Sequence, residues 1–272
     1  VLIYFSLTFA VTWTLWAASG LTAPSGPHEP WFLLGVFSPG LVAVALTARQ
    51  GGRQAVVDLL GRLVDWDVPL RWYVFAFGFM ASVKVAAAVV HRAVLGAWPA
   101  FGTESWLVMV AATLISTVVG GQAGEELGWR GYALPRMADR LGFGAASVLL
   151  GMAWALWHLP LFFVPVGDTY QQSFPLYLLQ LTALSVVMAW VYGRTRGSLL
   201  PMMLMHAAVN NTKDIVPSVD PRSSGVWAPS HSAVAWITVA ILWAVASCCL
   251  MWMRGLPTSH GVTIRANAPV RR

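Results

Sequence analysis

The sequence predicts an all-α, polytopic integral membrane protein of about eight transmembrane helices. Two observations carry that prediction. Only 10% of the 272 residues are charged and 57% are hydrophobic, whereas an average soluble domain is about 25% charged. The apolar residues also fall in runs of about 20, the length that crosses a hydrocarbon core, with short polar or Gly/Pro-rich stretches between them. The length leaves no room for a separate soluble domain. The net charge of +6 does not point to nucleic acid. The arginines sit in short loops and at the C-terminal end, as the positive-inside bias requires.

Taken in order, the first run spans about 1–19. It lacks a basic leading region and reads as a first span rather than a cleaved signal peptide. A Pro/Gly loop, 20–30, carries Glu29, and span 2 covers about 31–48. In the segment 51–71, Val56, Val57, Leu59, Leu60, Leu63 and Val64 recur at helical spacing. Arg53, Asp58, Arg62 and Asp65 interleave them, which is the pattern of an amphipathic helix lying along the interface. Span 3, about 72–90, contains Lys84, for which pairing or snorkelling is favoured over a functional role. After a loop at 95–105, span 4 covers about 106–124. A short helix with Arg136 and Arg140 follows at 130–141, broken by Gly142 and Gly144.

Span 5 is about 145–163 and span 6 about 174–192, with Asp168 in the loop between. The sequence Gly193-Arg194-Thr195-Arg196-Gly197 is a tight basic turn. Span 7, 198–211, is short enough to be buried among the others. A polar loop at 213–231 carries Lys213 and Arg222, span 8 covers 233–253, and Arg254, Arg265, Arg271 and Arg272 lie in a basic tail. The chain therefore divides into N-terminal helices (1–104), a candidate catalytic core (105–212) and a last loop, span and tail (213–272). Loop charge puts both termini in the cytoplasm. Arg outnumbers Lys 15 to 2, a bias of GC-rich bacterial genomes, so the expected location is a bacterial plasma membrane. Cys248 and Cys249 are adjacent within the last apolar run, which excludes a disulfide scaffold or a multi-Cys metal site.

Three polar clusters lie within apolar spans. The first is Glu125-Glu126-x-x-x-Arg130. An ionised group near a membrane helix centre costs about 2.5–3.5 kcal/mol, so two adjacent carboxylates imply use. Glu126 and Arg130 share a helix face and pair, while Glu125, about 100° round the helix, is left as a general base. The second is Trp154-x-x-x-His158, where the indole is expected to lie flat on the imidazole. The third is His206-x-x-x-Asn210, where Asn210 is expected to fix the His206 tautomer. This set activates water in one of two ways. Glu125 takes the proton while His158, or His206 with Asn210, steadies the oxyanion. Alternatively Glu125, His158 and His206 hold a divalent metal such as zinc. There is no His-Glu-x-x-His run and no Gly-x-Ser-x-Gly elbow. One difficulty is depth: Glu125 falls near the inner end of span 4, and His158 about 20 Å along span 5.

The ordered motifs over 107–211 resemble the CPBP family of intramembrane proteases, the CAAX-type and bacteriocin-processing membrane proteins related to the type II CAAX prenyl endopeptidases. The resemblance implies an eight-helix enzyme that cleaves near the C-terminus of a membrane-associated or lipidated peptide or protein. It implies Glu125 and His158 at water activation, His206 and Asn210 at the oxyanion, and Glu126 and Arg130 in support. Trp154 stands where Phe is common, a change expected to matter little. A catalytically silent scaffold or immunity factor, and a proton-coupled transporter, are the alternatives.

Overall fold

The computed structural model describes residues 1–22, 30–163, 169–170, 172–213, 215–216 and 225–253. Glu29, Asp168, Arg222 and the tail arginines lie outside these residues. Every regular element among the described residues is a helix: α1 Leu2–Thr22, α2 Pro30–Gly61, α3 Leu70–Leu95, α4 Trp106–Val119 and α5 Gln122–Glu126. A π-helical turn, Leu127–Ala133, leads into α6 Leu134–Trp157, and a 3₁₀ turn, Leu159–Phe162, follows it. The order closes with α7 Phe174–Arg194, α8 Leu200–Asn211 and α9 Ala233–Met253. Six helical runs are long and apolar enough to cross a membrane, and α4 is apolar but shorter. The chain is an all-α polytopic membrane protein. The 12-residue α8 is buried along most of its length, as its shortness predicted.

Three boundaries differ from the sequence reading, each at glycine. The amphipathic segment is not separate, because α2 continues through a sharp bend at Gly52 (φ 67°, ψ −164°) to Gly61. Span 4 ends at Val119, where Gly120 turns extended (φ −82°, ψ 174°), so the glutamates open a new helical run. That run does not stop at 141. It reverses at Gly142 (φ 75°, ψ 159°), a positive-φ conformation that L side chains rarely adopt. The contacts of Trp154 with Arg130 and of Trp157 with Trp129 show the two legs to be antiparallel.

This hairpin removes the depth difficulty. Glu125 lies seventeen residues before Gly142 and His158 sixteen after it, so the two are level. Gly124 packs on Gly40, midway along the Pro30–Gly51 leg of α2. The glutamates are therefore near the middle of that span rather than at its edge.

Small residues set how closely the helices approach, because lipid offers no hydrophobic drive to associate. A Cβ on Gly128 would collide with Tyr4 Oη and lie 2.6 Å from the Pro39 carbonyl carbon. Gly121 and Gly124 meet Val36 and Phe37 of α2 in the same way. This glycine stripe seats the α5–π turn on α2 and leaves the other face for polar side chains. Elsewhere α1 lies along α2, α6 on α7, α7 on α9, and α3 on α8 and α9. Buried Lys84 donates to the Val216 carbonyl (3.0 Å). The basic segments also converge: Ser198 Oγ donates to Asp65 O (2.6 Å), Leu199 N to Arg62 O (2.9 Å) and Arg196 Nη2 to Asp67 O (2.8 Å).

Candidate active site

The site is built on three elements. The α5–π run supplies Glu125, Glu126 and Arg130; the end of α6 supplies Trp154 and His158; α8 supplies His206. Glu126 and Arg130 are fully buried, and Arg130 Nη1 donates to Glu126 Oε1 at 2.8 Å. The i, i+4 pair read from the sequence is thus present. His206 Nδ1 lies 2.9 Å from the same Glu126 oxygen. Glu126, not Asn210, orients this imidazole. Asn210 lies on the exposed side of α8. Its neighbour Asn211 makes the structural bonds, donating to Ser116 Oγ (3.0 Å) and Ala207 O (2.8 Å) and so tying α8 to α4.

Trp154 is the hub. Its Nε1 donates to Glu125 Oε2 at 2.8 Å. The Arg130 guanidinium carbon stands 4.4 Å from its ring centroid, a desolvated cation–π contact. His206 meets the same ring edge-on at 5.2 Å. His158 lies 6.1 Å away at 57°, tilted rather than flat, and its Nδ1 donates to the Trp154 carbonyl at 2.9 Å. One indole therefore touches Glu125, Arg130 and both histidines. An N–H at this position does what a Phe ring could not, which the sequence comparison of aromatic with aromatic did not anticipate.

Both Nδ1 atoms are engaged, which leaves Nε2 of each ring as the nitrogen for a further partner. Among the described residues no group of three His, Cys, Asp or Glu side chains is arranged to hold a metal ion. As folded here, Glu125, His158 and His206 do not make a ready metal centre. The buried polar atoms Glu126 Oε2, Arg130 Nε and Arg130 Nη2 have no hydrogen-bond partner among the described residues. Such groups are normally met by ordered water or ligand.

Residues 103–212 match the family model described as type II CAAX prenyl endopeptidase Rce1-like. That segment of the chain is similar to the Rce1-like family. The chain is also similar to CAAX prenyl protease 2 of Methanococcus maripaludis, with 24% identity over 234 residues, covering 79% of this chain and 84% of the relative. The CPBP resemblance read from the motifs therefore stands. The Rce1-like segment contains every side chain of the cluster just described. It does not contain α1, whose Tyr4 is fully buried against Trp129 and Tyr132 (centroids 5.9 and 5.0 Å). Tyr4 closes the back of the π turn, and no local signal marks it in the sequence.

Proposed function

We propose that this chain is an intramembrane endopeptidase, hydrolysing a peptide bond near the C-terminus of a membrane-associated or lipidated substrate. The observation that carries this reading is the buried Glu125–Trp154–His206–Glu126 assembly within the Rce1-like core. Glu125 keeps Oε2 on the indole and uses Oε1 to take a proton from water as the water oxygen adds to the scissile carbonyl. A carbonyl oxygen only accepts, so His158 Nδ1 carries the hydrogen. The neutral ring then offers Nε2 as an acceptor for the same water.

His206 answers the charge that develops. In its protonated form Glu125, Glu126, Arg130 and His206 together carry no net charge, and Nε2–H donates to the oxygen that gains the carbonyl electron pair. Collapse of the tetrahedral species breaks the C–N bond, and Glu125 returns its proton to the leaving amine. The resemblance sets Asn210 beside His206 at the oxyanion. Its exposure on α8 instead suits contact with the incoming substrate. The mid-span depth of the cluster excludes bulk water, which strengthens each of these interactions. The arginine-bearing face is assigned to the cytoplasm of a bacterial plasma membrane.

The test uses the purified chain in liposomes with a fluorogenic prenylated CAAX-type peptide. Glu125→Gln and His206→Ala each lower kcat by at least about a hundredfold, with membrane insertion unchanged. Full activity in either variant would overturn the mechanism.

A further inference from the structure

Away from the Trp154 cluster, on the face where the basic segments meet, a cavity of about 210 Å³ lies between α2, its continuation beyond Gly52 and the π turn. Its wall includes Thr47, Asp58, Arg62, Gly131 and Arg136. Two guanidiniums share this one space and repel each other. Arg62 Nη1 bonds the Gly131 carbonyl (3.4 Å) and Tyr192 Oη (3.3 Å). Arg136 Nη1 bonds the Tyr132 carbonyl (3.1 Å), and Nη2 reaches Gln50 Oε1 at 3.5 Å. A guanidinium has five N–H donors, so these bonds leave donors on both for a ligand. Asp58, exposed at the rim and held by Gln54 (3.0 Å), and Asp139 offset part of the positive charge.

A second observation points to a ligand. Thr47 Oγ is buried in the cavity wall, with 5% of the residue exposed, and has no hydrogen-bond partner among the described residues. A buried hydroxyl beside two arginines matches the acceptor oxygens of a tetrahedral oxyanion. The level in the membrane fits too. The same stretch of chain exposes Val57, Leu60, Val64 and Trp66, an apolar and aromatic surface suited to the headgroup boundary.

We propose that this cavity is a phosphate-binding site at the membrane interface, held by Arg62, Arg136 and the Thr47 hydroxyl, for an anionic lipid headgroup or free phosphate. Gly131 follows Arg130 directly, so the bound anion rests against the turn that carries the Glu126–Arg130 pair.

The test titrates the purified full chain, in uncharged detergent and phosphate-free buffer, with inorganic phosphate and separately with short-chain phosphatidic acid, reading the melting midpoint. Wild type shows a saturable rise with at least one probe. A rise with phosphatidic acid alone identifies the headgroup; equal affinity for both identifies phosphate itself. Arg62→Gln and Arg136→Gln each weaken the apparent Kd about tenfold. Because Arg62 and Arg136 also bond backbone carbonyls, two milder variants decide the matter. Thr47→Val keeps the shape and weakens binding several-fold, while Asp58→Asn removes the rim charge and tightens it. No saturable rise with either probe, or the same Kd in wild type, Thr47→Val and Asp58→Asn, would overturn the site.

Discussion

At the scale of single residues, Trp154 and Glu126 divide the work of placing the reactive groups. Trp154→Phe keeps the ring that Arg130 and His206 pack against and deletes only the N–H on Glu125 Oε2. A hydrogen bond to a charged group is worth about 1.5–3 kcal/mol. In the liposome assay kcat should therefore fall about tenfold to a hundredfold, with KM and the melting midpoint little changed. A fall in melting without a fall in kcat would make the bond structural. Glu126→Gln acts differently. It strips the buried Arg130 guanidinium of its counter-charge, and removing one member of a buried pair costs about 3–5 kcal/mol. Here the expected outcome is loss of folded protein, measured by melting in detergent, as well as loss of activity.

At the scale of elements, the glycines decide both the fold and how much of it the sequence discloses. The three motifs were legible because chemistry-bearing side chains stood at i, i+4 spacing in apolar surroundings, where each is costly to keep. The i, i+4 rule found the Glu126–Arg130 bond. It does not find the His206 partner, since Glu126 lies eighty residues away in sequence and only the packing of α8 on the α5 run brings the two together. The reversal at Gly142 was legible as a break but not as a hairpin, because a glycine signals permission for positive φ, not the path that follows.

The Gly124-x-x-x-Gly128 spacing was likewise present in the sequence as a close-approach signal. Gly128→Ala places a methyl against Tyr4 Oη and the Pro39 backbone, and overpacking of this kind costs about 1–3 kcal/mol. Its melting midpoint should drop clearly below that of Gly78→Ala, where a Cβ meets nothing within 4 Å. Equal midpoints would mean that the helices are not in contact at Gly128.

At the scale of the whole molecule, the basic loops define a face. Segments far apart in sequence, around Arg62, Arg136 and Arg196, are tied to one another or to shared neighbours, so the arginines of these three segments lie on one face. In a background with Cys248 and Cys249 replaced by Ala, Arg53→Cys, Arg140→Cys and Arg196→Cys should all react with an impermeant thiol reagent from the cytoplasmic side only. Labelling of any one from the opposite side would break that assignment.

The central claim is that Glu125 drives peptide-bond hydrolysis inside the membrane. Its most direct test compares the termini of membrane and secreted peptides in the native host, wild type against Glu125→Ala at matched expression. Cleaved ends present in wild type and absent in the variant are the predicted result, and they would also name the substrate. Identical termini, with both proteins folded and inserted, would contradict the account.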